Sequence, residues 1–109
     1  MRYPARGEVW LVDLGMSAKV RPCLVLSVPI GDADRALVTL VPHTTSVRDT
    51  VFETAVPTSF LKPGAFDAQG LVTVPVNRAI RLLGKLNHDQ MQAVEGAVCR
   101  WLGLPCTSP

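Results

Sequence analysis

Two stretches decide the fold: Glu8-Val9-Trp10-Leu11-Val12-Asp13-Leu14 (EVWLVDL) and Cys23-Leu24-Val25-Leu26-Ser27-Val28 (CLVLSV). The first is a β-branched, apolar run closed by Gly15, so it reads as a strand. The second follows Arg21-Pro22 and stays almost wholly apolar up to Pro29, the pattern of a strand buried on both faces. Between them, Ser17 to Val20 form a short polar loop. Downstream, Gly31-Asp32-Ala33-Asp34 signals a turn, and Ala36 to Val41 (ALVTLV) reads as a third strand stopped by Pro42. His43 to Thr50 (HTTSVRDT) is polar and β-branched, a loop or a frayed strand edge. Val51 to Val56 reads as a further strand, Pro57, Pro63 and Gly64 punctuate a connector carrying Phe60 and Leu61, and Leu71 to Val76 (LVTVPV) returns to strand character limited by Pro75. The C-terminal element is a helix. Asn87 is placed to cap it with Gln90 three residues on, Met91, Val94, Val98, Trp101 and Leu102 recur on one face, and Gly103 and Pro105 stop it. The expectation is a mainly β protein, four or five short strands in a small barrel or sandwich with one C-terminal α-helix packed on the sheet.

Length and composition narrow the function. The 109 residues correspond to one domain spanning 1–109, and no repeat, low-complexity tract or linker divides them. Hydrophobic residues make up 48% and charged residues 18%, which excludes a disordered segment and points to much apolar surface buried on folding or on self-association, with a homodimer as the first expectation. A net charge of +2 admits an anionic partner but is far from the basic stripe of a non-specific DNA binder. Cys23, Cys99 and Cys106 form no C-x-x-C pair, and their odd number argues against a disulfide framework or a structural zinc site, leaving Cys23 and Cys99 as small buried hydrophobes. Arg2, Tyr3, Pro4, Arg6 and Glu8 interrupt the place where a secretory signal would need an apolar run, and no stretch reaches membrane-spanning length, so a cytoplasmic location is expected.

The sequence has no G-x-G-x-x-G, no Walker loop, no G-x-S-x-G and no metal-spaced cluster, so the expectation is chemistry without metal or cofactor. His88 falls in the first turn of the helix and reads as a surface residue. His43 follows a strand at the Pro42 break beside Thr44, Thr45 and Ser46, where an acid/base group would stand among hydroxyls on an exposed loop. Arg21 precedes Pro22, which holds the chain extended, and a guanidinium at such a strand mouth suits a phosphate because its planar fork donates two parallel hydrogen bonds. The alternative is an ion pair with Asp13 or Glu8. Lys19 and Arg48 read as phosphate contacts or plain surface charges, and Trp10 and Phe66 as base-stacking rings or core.

RGEVWLVDL at Arg6 to Leu14, followed after a short loop by KVRPCLVLS at Lys19 to Ser27, resembles the opening of the MazF/PemK-like toxins. The likeness continues through ALVTLVPHTTS at Ala36 to Ser46, Phe66-Asp67-Ala68-Gln69 with Leu71 to Val74, and RLLGKL at Arg81 to Leu86. It implies an SH3-like β-barrel of the kind shared with CcdB-like proteins. It also implies a homodimeric endoribonuclease that cuts single-stranded RNA at short sequences and is neutralised by a cognate antitoxin. The family's Arg-Pro arginine falls on Arg21, and its catalytic hydroxyl on Thr44, Thr45 or Ser46. The loop between the first two strands, often in contact with RNA or antitoxin, falls on Gly15 to Val20. Where many members place a basic residue shortly after a glutamine, this chain has Gln69 followed by Gly70-Leu71-Val72.

The implied chemistry is attack of a 2′-hydroxyl on the adjacent phosphorus, leaving a cyclic phosphate and a free 5′-hydroxyl. Arg21 and a threonine hydroxyl would stabilise the phosphorane, with Lys19, Ser46, Arg48 and Gln69 as RNA contacts. His43 is the best-suited proton carrier by type, with Asp67 and Glu53 behind it, and single strands are preferred because unstacked bases can be splayed out and read. Two other classes compete. A protein-targeting toxin on the same barrel, like the CcdB-like gyrase poisons, would use the C-terminal helix. A non-catalytic SH3-like module would need an aromatic groove, which six aromatic residues furnish poorly.

Overall fold

A computed structural model describes residues 2–15 and 19–106. Ser17, in the expected polar loop, lies outside them; at the loop's ends Leu14 donates to the carbonyl of Lys19 (2.9 Å) and Lys19 to that of Gly15 (3.1 Å).

Seven strands form an antiparallel sheet among the described residues: β1 (Glu8–Asp13), β2 (Val20–Val25), β3 (Leu37–Thr44), β4 (Glu53–Thr54), β5 (Ala65–Asp67), β6 (Val72–Pro75) and β7 (Ala79–Lys85), followed by α1 (His88–Leu102). The order is β4-β5-β3-β2-β1-β7, with β6 on β3. The expected mainly β architecture with one C-terminal helix is present, its sheet curled like a barrel but not closed. Alternation along β1 and β2 feeds two cores. Val9 and Leu24 point with Val41 and Phe66 toward α1, which contributes Met91, Val94, Ala97 and Val98. Trp10, Val12, Cys23 and Val25 point the other way, into a cluster with Val38, Leu40 and Val76. The apolar run of β2 is thus buried on both faces, and a fully buried Val or Leu contributes about 1.5–3 kcal/mol. Trp10 and Phe66 are core residues. The indole of Trp10 donates to Glu8 (3.0 Å), whose carboxyl burial alone would raise; hydrogen bonds from Ala5 and Trp10 and the charge of Arg2 hold it below its ordinary range.

Several sequence expectations are corrected. Strand β2 begins at Val20 and ends at Val25, so Arg21 and Pro22 lie inside it and not at its mouth. Strand β3 does not stop at Pro42 but runs on to Thr44. The backbone of Thr39 accepts from Leu26 on the β2 side, so alternation turns the missing donor of Pro42 toward the opposite edge. There β6 has ended at the Leu40–Val72 pair and β5 begins only at His43–Phe66, so no ladder bond is lost. His43 consequently sits in a strand, 5% exposed, and not on an open loop. Of Val51 to Val56, only Glu53–Thr54 is strand. Strands β5 and β7 were not foreseen: β5 is three residues in a Pro/Gly-rich connector, and two register shifts against β1 break the alternation of β7.

Helix α1 starts at a complete capping box, with Asn87 accepting from the Gln90 amide and Gln90 accepting in return, and ends at Gly103 in the left-handed region (φ 68°). That turn brings the chain back along the helix, with Leu104 donating to the carbonyl of Cys99 (2.9 Å). Cys106 therefore reaches Cys99, Cα atoms 5.7 Å apart, and the two form a disulfide, against the expectation of unpaired thiols. Cys23 remains free and fully buried as expected. Trp101 is 43% exposed and leaves the packed face to meet Phe52 edge to face. Among the described residues, no helix is long and apolar enough to cross a membrane.

Candidate functional site

The end of β3 and the start of β2 face a groove of about 500 Å³, whose lining includes Lys19, Arg21, His43, Thr44, Thr45 and Ser46. Six of the eight residues expected at the site are therefore brought together by the fold. Two are not. Arg48 lies on the exposed turn beyond, its amide donating to Glu53 (2.9 Å), and Gln69 is exposed on a 3-10 turn capped by the Asp67 carboxylate (3.0 Å).

Local chemistry fixes each group. Pro22 keeps β2 extended beside Arg21, and Lys19 turns into the strand through a left-handed backbone (φ 60°). Asp13 accepts from Gly15 (2.8 Å) and lies 3.9 Å from Arg78, while Glu8 pairs with Arg2. Thr44 Oγ1 accepts from the amide of Ser46 (3.0 Å), which leaves its own proton to donate elsewhere. Glu53 and Asp67, considered as proton carriers, cap local backbone amides, and among the described residues no Asp or Glu lines the groove. His43 packs edge to face on Phe66, ring centroids 5.1 Å apart, and its burial holds the imidazole below its ordinary pKa, in the neutral form. The thiol of Cys23 is pushed up to about 12 by burial, which the charge of Arg21 only partly opposes, so it is no nucleophile at neutral pH.

Two further cations line the groove that sequence reasoning did not single out, Lys62 and Arg81. Glycines place them. A Cβ on Gly84 would collide with the Phe60 ring, and one on Gly64 with the Thr44 carbonyl and the His43 imidazole, so the connector 60–64 lies tight across β7 and the end of β3 with Lys62 between. The signals available in sequence were those two glycines and the unassigned RLLGKL stretch. The four cations beside hydroxyls and a neutral imidazole can hold a phosphodiester and donate to its oxygens. Among the described residues, no three side chains of metal-binding type cluster. With Trp10 buried, Phe60 is the one Phe, Tyr or Trp among the described residues of the lining, which makes a poor platform for Pro-rich peptides.

Comparison with known proteins places this geometry. Residues 5–102 match the family described as PemK-like, MazF-like toxin of type II toxin-antitoxin system. An endoribonuclease from a mycobacterial species superposes with a TM-score of 0.81 at 27% identity, over 98% of this chain and 98% of that one. A mycobacterial endoribonuclease in complex with its cognate antitoxin gives 0.78 at 27%, over 98% and 100%. The Mycobacterium tuberculosis toxin MazF-mt6 gives 0.78 at 26%, over 91% and 99%.

Proposed function

The chain belongs to the PemK-like, MazF-like toxins of type II toxin-antitoxin systems, and on that premise we propose that its basic groove is where it cuts RNA. It is an endoribonuclease toxin whose partners are RNA and a cognate antitoxin, acting in the cytoplasm, where its substrate is found. The observation that carries the site assignment is the meeting of Arg21 and Thr44 in a groove lined, among the described residues, by four cations and no carboxylate.

A 2′-hydroxyl attacks the adjacent phosphorus, a 2′-O–P bond forms as the P–O5′ bond breaks, and the proton leaving the 2′-oxygen is balanced by one delivered to the 5′-oxygen. Arg21 holds the non-bridging oxygens through its fork, and Thr44, its acceptor site filled by Ser46, donates to the same developing charge. Thr45, Ser46 and Lys19 line the path of the strand. Proton transfer falls to His43, the lining residue of a type that titrates near neutrality, whose neutral imidazole is able to accept. No step calls for a metal, so cleavage should persist in EDTA.

The test is single-turnover cleavage of a short RNA in EDTA. Arg21→Ala should lower the rate by roughly a hundredfold or more, the scale of losing one preorganised donor, while Arg21→Lys rescues little because a point charge cannot make the bidentate contact. A folded Arg21→Ala protein that cuts at the parental rate would falsify the site, and cleavage only with added Mg²⁺ the metal-free chemistry.

A further inference from the structure

We infer that Arg81 and Lys62 form a second phosphate-binding subsite, one that holds the phosphodiester next to the scissile one; this rests on the groove being the RNA site. Leu11 is paired to Pro22 on one side and to Arg81 on the other. Directly opposed residues of antiparallel strands project to the same face, so Pro22, Leu11 and Arg81 make one row across β2, β1 and β7. With strands about 4.8 Å apart, the Arg81 backbone stands roughly 10 Å from that of Pro22, while Arg21, next along β2 and alternating to the other face, lines the same groove from near the start of the strand. Consecutive phosphates of one strand laid over Leu11 would meet Arg81 at one end of that row and Arg21 at the other.

Lys62 lines the same groove from the connector whose Phe60 presses on Gly84 of β7. Neither residue is spent on the fold. The ion pairs among the described residues take Arg2, Arg6 and Arg78, and Arg100 bonds the carbonyl of Val51. A pair of cations on an open groove beside apolar Leu11, Leu61 and Leu83 meets the nucleic-acid backbone and not a base edge. The subsite therefore adds affinity without sequence preference, and it requires the substrate to extend at least one phosphate beyond the cut.

The experiment measures binding of a short RNA made uncleavable by one 2′-deoxynucleotide at its mapped cut, by anisotropy at several salt concentrations, with thermal unfolding as folding control. Arg81→Ala should bind roughly tenfold more weakly. Its log affinity against log salt should be shallower by about 0.7, the loss of one single-strand phosphate contact. Replacing one flanking phosphate by a neutral methylphosphonate should cost the wild type a similar factor and the variant almost nothing. Arg81→Gln, which keeps the apolar stem, carries the measurement if the alanine variant melts early. An unchanged salt slope, or a methylphosphonate penalty equal in both proteins, overturns the subsite while leaving Arg21 in place. Parental cleavage by Arg21→Ala, measured alongside, overturns the site beneath it.

Discussion

At His43, 5% exposed beneath Gly64 and against Phe66, withdrawal from water disfavours the imidazolium. The pH dependence follows in sign. Below its ordinary pKa of about 6.5 the unfolded chain takes up a proton that the folded chain resists, so stability is fully present above that pH and falls as pH drops toward the lower folded value. The melting temperature should decline between pH 7 and pH 5, and His43→Asn should flatten that decline; an equal decline in the variant would mean another group governs it. At the same scale, Arg21, Thr44, Thr45, Ser46 and Lys19 were legible because the family's motifs put them in sequence order. The burial of His43 was not. It depends on a glycine 21 positions later, whose lack of a side chain no local pattern explains.

Elements differ in how far they carry their own instructions. Helix α1 is specified locally: the Asn87 cap, the Gly103 stop and the apolar positions Met91, Val94 and Val98 are all where the sequence puts them, and only Trp101 and Leu102 at its last turn leave the packed face. Asn87→Ala should therefore cost about 1 kcal/mol in denaturant unfolding without altering cleavage, because the cap lies outside the groove lining. A selective loss of cleavage at unchanged stability would count against that separation. Strands β3 and β7 are specified by their neighbours. Pro42 stays in β3 only because β5 and β6 leave a gap there, and β7 pairs through two irregularities that erase its alternation, hiding Arg81 from a reading by period. The Cys99–Cys106 pairing is of the same kind, set by a left-handed turn that a count of cysteines does not reveal.

For the whole molecule, surface area points beyond the single chain. Monomeric proteins follow A ≈ 6.3 M^0.73, which at 11.8 kDa gives about 5,900 Å², whereas this chain exposes 6795 Å². The excess, roughly 900 Å², is close to the ~800 Å² that each partner buries in an interface of standard size. Exposed apolar side chains on the surface include Val20, Leu37, Ile80, Leu82 and Leu102. The protein should therefore sediment as a homodimer at micromolar concentration, and a monomer there would refute the expectation. Lys19, Arg21, Lys62 and Arg81 further constrain the antitoxin. A segment blocking them must bring carboxylates where RNA brings phosphates, so antitoxin and uncleavable RNA should displace one another, and binding of each should weaken as salt rises. Simultaneous binding of both at saturating concentrations would place the antitoxin elsewhere on the molecule.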